Sequence, residues 1–481
     1  MPRQSLFPFD VFHIIDSLID RDTLLSFLKT CRRYQEYGAL CLLRHKVVLH
    51  REGCGGRDDI ASFACFMLAD GPGRIPLLRR LELVDTDDRH SPEDFGPLTQ
   101  VVSRASNVEE LVLSNALREG GVFGSPALSA AIGALPNVKR LEVSIGEPTA
   151  TDFLKSMRSL LLNVRINSWC VPTERPLHLA LDPLSALAPY SSTLQKLELR
   201  HAKLLDPQVV FPHVHTLHLR DCFSTDVEPI MLSFPNLRHF SASNDLCIEH
   251  MLSRWTEGSD VIYMEPDEQR EAVGGWSSLE SLAGKMLSLH FYGVSCPVGR
   301  LVIGNIECDD YGRRQIKGIL SRACPKDALI LHFSPEDWDE ESEQLHRILP
   351  EGTNVPRLAL HFDLSSYFVS PTILMTQIYA LSETISVSSF HLGMRFSNDI
   401  DPWLTDEVDE VDREKVALQL ANRIPTLAQV SLDISSGYDG PEPTTVRWDV
   451  VRKGGRCELV VKKGGASGEG LEWEKGSISD M

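Results

Sequence analysis

The chain has 481 residues, and its 48 lysines and arginines stand against 67 aspartates and glutamates, a formal net charge of -19. This negative field repels nucleic-acid phosphates and anionic lipid headgroups, so we expect neither nucleic acid nor a membrane as a partner. Hydrophobic residues make up 42% of the chain, which predicts that most of it folds. The sequence lacks an apolar run long enough for a membrane span, a signal-peptide pattern and any C-x-x-C pair among its 11 cysteines, so we expect a reducing compartment, the cytoplasm or the nucleus.

Residues 1–50 show a helical pattern within the stretch "LFPFDVFHIIDSLIDRDTLLSFLKTCRRY". Apolar residues at i, i+3, i+4 and i+7 predict a first helix, and the same spacing after "DRD" predicts a second. A third, weaker helix is predicted over "ALCLLRH". A module of this size buries too little surface to be stable alone, so we expect it to pack against a neighbour or a partner.

A repeat begins after a glycine-rich connection at 51–75 and extends over 76–436. Its unit is an apolar residue, two variable residues, an apolar residue, one variable residue and a third apolar residue, as in "LRRLEL", "VEELVL", "VKRLEV" and "LQKLEL". Leu81, Leu111 and Leu141 recur about 30 residues apart, close to the period of leucine-rich repeats, in which a short strand alternates with a helix or turn. The pattern predicts an α/β fold, an irregular, horseshoe-like leucine-rich-repeat solenoid.

The repeats stop near Gly437, and residues 437–463 contain two alternating apolar runs around "KGGR". This pattern predicts a β-hairpin that caps the last repeat. Residues 464–481 are rich in glycine and serine and predict a flexible tail.

The N-terminal stretch resembles an F-box, the helical module that docks on the Skp adaptor of cullin-based ubiquitin ligases. The matching positions are Leu6, Pro8, Asp10, Ile14, Leu18, Asp22, Leu24, Leu25, Cys31 and Arg32. The tryptophan usual near the end of an F-box is absent, and Leu43 and His45 lie in its neighbourhood. An F-box followed by leucine-rich repeats is similar to the architecture of fungal-type F-box proteins.

The resemblance implies a non-catalytic subunit that binds a Skp-type adaptor, through it a cullin, and an unknown target protein. The adaptor-facing residues it implies are Leu6, Pro8, Asp10, Ile14, Leu18, Leu24, Leu28 and Cys31. The alternative is a protein-interaction scaffold whose N-terminal helices only cap the repeats.

Target binding is expected at the variable positions of the strands, because solenoids bind partners on that concave face. These positions include Arg80, Glu82, Glu110, Arg140, Glu142, Lys196, Glu198, His218 and His239. Two acidic tracts, 334–344 and 406–414, are either solvated loops or attract a basic segment.

No nucleotide-binding, hydrolase or zinc-protease motif occurs, so we expect no catalytic residue and no cofactor. "HVHTLH" would place His213 and His215 on one strand face, but only Asp221 and Cys222 lie near a ligand-like spacing, and we expect no metal site there.

Overall fold

A computed structural model describes Leu43 and residues 46–51, 59–69, 73–85, 95–114, 125–145, 148–168, 183–202, 204, 209–222, 227–243, 275–306, 309–333, 345–350, 352–364, 371–396, 411–436, 445–454 and 456–462. The predicted F-box-like helices, apart from Leu43 of the third, lie outside these residues, as do the acidic tract 334–344, most of the tract 406–414 and the predicted tail. None of the helices in the described part is both long and apolar enough to cross a membrane.

The described residues form an α/β structure that divides into two compact units, Met1–His213 and Val214–Met481. The strands of the first unit are β1 (Lys46–Arg51), β2 (Arg80–Asp85), β3 (Glu110–Ser114), β4 (Arg140–Ile145), β5 (Asn163–Ser168) and β6 (Lys196–Arg200). Its helices are α1 (Asp59–Ala69), α2 (Gly96–Arg104), α3 (Pro126–Gly133), α4 (Pro148–Ser156) and α5 (Pro183–Leu187).

All six described strands of the first unit are parallel, and their spatial order follows their order in the chain. Their central apolar residues stand in one register across β2 to β6: Leu81, Leu111, Leu141, Val164 and Leu197. This row is buried, as is the apolar row two residues further along the strands. The arrangement is compatible with a solenoid, because each repeat completes its core with the next.

Asparagine side chains connect successive repeats in the first unit. The Asn107 amide donates to the Pro76 carbonyl at 2.8 Å, and the Asn137 amide donates to the Ser106 carbonyl at 2.8 Å. Each asparagine precedes a strand by three residues and bonds the turn of the preceding repeat. These exposed hydrogen bonds join the turns of neighbouring repeats.

The second unit continues with strands and helices of the same kinds. Its strands are β7 (Thr216–Arg220), β8 (His239–Ser243), β9 (Leu279–Lys285), β10 (Val298–Ile306), β11 (Pro325–Phe333), β12 (Arg357–Leu364), β13 (Ser389–Phe396), β14 (Gln429–Ser436), β15 (Val446–Lys453) and β16 (Arg456–Val461). Its helices are α6 (Glu228–Ser233), α7 (Met286–Tyr292), α8 (Asp310–Ala323), α9 (Pro371–Ser382) and α10 (Arg413–Arg423).

Strands β7 to β14 are parallel and follow chain order, and β15 and β16 add two antiparallel strands. Two helices begin at aspartate caps: Asp309 accepts from the Gly312 amide at 2.6 Å, and Asp412 accepts from the Lys415 amide at 3.0 Å. Such carboxylates satisfy amides that the first helical turn leaves unbonded.

Candidate interaction surface

Alternation along each strand separates apolar from polar side chains in the first unit. Residues that flank the buried leucines point to the opposite side of the sheet, because successive side chains of a strand face opposite ways. We call this side the strand face. Its row A consists of Arg80, Glu110, Arg140, Asn163 and Lys196, which are register partners on β2 to β6. Its row B, two residues further along, consists of Glu82, Val112, Glu142, Arg165 and Glu198.

An ion triad lies in row A. The Glu110 carboxylate lies 3.6 Å from Nε of Arg80 and 3.7 Å from Nη1 of Arg140. The two arginine side chains are 57% exposed, whereas that of Glu110 is 19% exposed. The carboxylate therefore lies recessed between two accessible guanidinium groups.

Row B holds a second triad with the signs reversed. The Arg165 guanidinium lies 3.6 Å from Oε1 of Glu142 and 3.0 Å from Oε1 of Glu198. Glu198 also accepts hydrogen bonds from Nε and Nη2 of Arg200 at 3.0 and 2.8 Å. Opposite charges on neighbouring strands stabilise a sheet, and here they also fix the positions of the ions.

A third set of charges lies just before row A. Glu109 lies between Arg79, at 3.2 Å, and Lys139, at 3.1 Å. The hydrogen bond and the charge of Lys139 lower the pKa of Glu109, and the charge of Arg79 acts in the same direction. All three side chains are exposed, so these pairs add little stability.

The structure places seven of the nine predicted target-binding residues on the strand face of the first unit: Arg80, Glu82, Glu110, Arg140, Glu142, Lys196 and Glu198. The other two lie in the second unit. His218 is half-buried on β7, and His239 on β8 faces Ser281 Oγ at 2.9 Å and Glu280 Oε2 at 3.5 Å.

Sequence reasoning missed Arg165 and Arg200, which complete the charge network of row B. A signal for Arg165 existed, because the stretch "LNVRI" is a weak copy of the repeat and places this arginine between two apolar residues. The predicted adaptor-facing residues, Leu6, Pro8, Asp10, Ile14, Leu18, Leu24, Leu28 and Cys31, lie outside the described part of the chain.

Along β9 to β12, the row of the second unit that corresponds to row B is apolar and buried. Ala283, Val302, Ile330 and Ala359 are register partners there, and Ala359 has no exposed surface. His391 and Ser431 continue the row on β13 and β14, with 2.8 Å between Nδ1 and Oγ. This row differs from the charged, half-exposed row B of the first unit, whereas the row that corresponds to row A includes Arg300 and the exposed Arg357.

Three histidines of the second unit, His332, His361 and His391, form a cluster on β11, β12 and β13. The rings of His332 and His361 stack with centroids 4.4 Å apart, and His361 and His391 lie 5.0 Å apart. Burial lowers the pKa of His332 to about 3, of His361 to about 4 and of His391 to about 3, and positive neighbours add to the effect. The cluster is therefore neutral near pH 7.

In the described ranges no group of three or more His, Cys, Asp or Glu side chains is arranged so that it could hold a metal ion, and this includes the histidine cluster. His215 instead lies 3.0 Å from the Thr216 hydroxyl through Nδ1. The cysteines with described positions, Cys65, Cys222, Cys296, Cys324 and Cys457, are free thiols.

Compared with known proteins, the chain matches no family model and no curated protein. The resemblance to the F-box family therefore rests on the N-terminal residues named above.

Proposed function

We propose that this protein is the substrate-recognition subunit of a Skp-cullin-F-box ubiquitin ligase in the cytoplasm or nucleus. The observation that supports it is the strand face of the first unit, where charged side chains of neighbouring repeats converge on one accessible surface. In this proposal the parallel sheets are parts of an irregular leucine-rich-repeat solenoid, and the F-box-like segment holds the adaptor.

The protein's contribution to ubiquitin transfer is positional. It contributes no catalytic group, and holding adaptor and target on one chain raises their effective concentration. The apolar residues Leu6, Ile14 and Leu18 would form part of the adaptor-facing patch, for which burial of apolar area is the main source of affinity.

A scaffold function is the second candidate, and burial at the start of the first unit favours it. Leu43, Leu49 and Met67 are almost completely buried, although β1 is the first described strand. Terminal repeats need such coverage, and N-terminal helices that only cap the solenoid would supply it.

The test is co-purification of a recombinant Skp-type adaptor with the full chain. We expect recovery with the natural sequence and loss of recovery after Ile14→Asp with Leu18→Asp, because two buried carboxylates would oppose an apolar interface. Leu160→Asp is the matched control, since the Leu160 side chain is 69% exposed in the first unit and its change should leave recovery intact.

Thermal unfolding of each variant separates the two functions. If the intact chain recovers no adaptor, or if the double variant unfolds the first unit, the N-terminal helices act as a cap and the scaffold function stands.

A further inference from the structure

The two rows on the strand face of the first unit carry opposite net charge. Row A has three cations, Arg80, Arg140 and Lys196, against the single carboxylate of Glu110, which gives +2. Row B has three carboxylates, Glu82, Glu142 and Glu198, against the single cation of Arg165, which gives -2.

The spacing of these charges follows from sheet geometry. Neighbouring strands are about 4.8 Å apart, so Arg80 on β2 and Arg140 on β4 are separated by roughly 10 Å. The two rows are two residues apart along each strand, which is about 7 Å. The face therefore presents a positive line beside a negative line, both running across the strands.

Each central ion lies within ion-pair distance of its two neighbours and so favours their positions before any partner arrives. Glu110 contacts both arginines of its triad, and Arg165 contacts both glutamates of the other. Side chains ordered in advance lose less conformational entropy on binding, so the remaining exposed surface of Arg80 and Arg140 is available at a lower cost.

We propose that this face binds a helix of the target protein that carries a line of carboxylates opposite row A and a line of lysines or arginines opposite row B. A helix fits because residues seven apart are about 10.5 Å apart along its axis, close to the spacing of alternate strands. Row B repels phosphates, which disfavours nucleic acid at the same place.

The apolar row of the second unit supports this choice of surface. Ile330 and Ala359 in that row have almost no accessible area, so a partner gains little contact with it. The inference goes further than the proposed function. It rests on that function only in assuming that the bound helix belongs to a target protein.

The experiment uses the full chain and two synthetic helical peptides of about 20 residues with identical composition. One, the striped peptide, carries its glutamates in one line along the helix and its lysines in another. Its isomer mixes both residue types within each line. Fluorescence anisotropy at low ionic strength should show that the striped peptide binds about tenfold more tightly, and added salt should reduce this difference. Equal affinities for the two peptides would overturn the proposal.

Substitutions in row A test whether this row contacts the striped peptide. Arg80→Gln with Arg140→Gln should weaken binding of the striped peptide about tenfold, because two exposed ion pairs with the peptide are lost. The double variant leaves the Glu110 carboxylate without its two arginines. A triple variant that also carries Glu110→Gln removes this carboxylate and should show the same loss of binding. Arg79→Gln with Lys139→Gln removes equal charge from the residues immediately before β2 and β4, outside both rows, and should have a much smaller effect. An equal loss contradicts the proposal.

These outcomes are independent of the adaptor test. Recovery of the adaptor together with equal peptide affinities rejects the charged-row inference alone. If the striped peptide binds but the adaptor is not recovered, the ligase function is rejected, and the strand face is still supported as a helix-binding surface.

Discussion

Glycines at two strand positions of the second unit permit contacts that no other residue allows. A Cβ atom on Gly284 would overlap the carbonyl oxygen of Ala242 on the neighbouring strand. A Cβ atom on Gly393 would lie 2.7 Å from Nδ1 of His361. The first contact is with backbone, which cannot move aside without breaking the ladder, so Gly284 is the stricter requirement.

We expect Gly284→Ala to lower the free energy of unfolding by about 1–3 kcal/mol or more, because overpacking forces β8 and β9 apart. Gly96→Ala is the matched control: Gly96 begins α2 and has no other atom within 4 Å of an added Cβ. Urea unfolding of the two variants measures the difference. Equal stabilities would show that β8 and β9 can separate at this position without cost.

The histidine cluster makes the second unit sensitive to acid. The three pKa values in the folded chain, about 3, 4 and 3, lie below the ordinary value of 6.5 that the unfolded chain retains. Below pH 6.5 the unfolded chain binds protons that the folded chain does not, so stability falls as the pH falls from about 6.5 towards 3. The charges of Arg300, Arg395 and Arg447 act in the same direction as burial.

We expect the free energy of unfolding of the natural chain to fall more steeply between pH 6.5 and 5 than that of the variant His332→Gln, His361→Asn, His391→Asn. Each such histidine adds up to about 1.4 kcal/mol per pH unit to the slope. Denaturant unfolding at several pH values measures it, with pH 8 as the reference at which all three rings are neutral in both states. Parallel pH profiles for the two proteins would contradict this assignment.

Among the secondary-structure elements, the antiparallel pair β15 and β16 is tied to α10 by one side chain. Arg452 donates to the carbonyls of Ala421 at 2.8 Å, Ile424 at 2.8 Å and Leu427 at 2.7 Å. The last carbonyls of a helix have no partner within the helix and carry partial negative charge, so a guanidinium satisfies both needs. The carbonyl of Ala421 also accepts from the Cys457 thiol at 3.6 Å.

Replacing this arginine tests the attachment. We expect Arg452→Met to destabilise the second unit by about 1.5–3 kcal/mol, because hydrogen bonds from a charged donor are lost at the end of α10. Arg456→Met is the control, since it removes the same type of side chain from another exposed position of the same strand pair. Amide hydrogen exchange should show faster exchange in α10 and β16 for Arg452→Met alone; unchanged protection would mean that apolar packing of Trp448 holds the strands without the arginine.

Several features of the chain were predictable from the sequence because they depend on local spacing. The recurrence of Leu81, Leu111 and Leu141 predicted strands whose central leucines share one register, and the structure pairs these residues directly. The same alternation predicted which charged residues of β2, β3, β4 and β6 share a face. The α/β class and the parallel order follow from strands alternating with helices.

Other features required coordinates, because they depend on distances between repeats of unequal length. The triad of Glu142, Arg165 and Glu198 joins strands separated by intervals that no single period describes. Two members of the histidine cluster, His332 and His361, lie in copies of the letters "LHF", but the sequence does not show that the rings of these two copies stack. Nothing in the sequence indicated that Arg452 would bond three carbonyls at and just after the end of α10.

Across the entire chain, the sequence by itself determined the repeat, the alternation of apolar and polar positions and the acidic balance. These features depend only on composition and on residues close together in the chain, so they can be read from the order of the amino acids. Only the tertiary structure decided that row B is charged and half-exposed in the first unit, whereas the corresponding row along β9 to β12 of the second unit is apolar and buried. Burial and ion pairing depend on which side chains lie next to each other on neighbouring strands, and these neighbours are known only once the strands have paired.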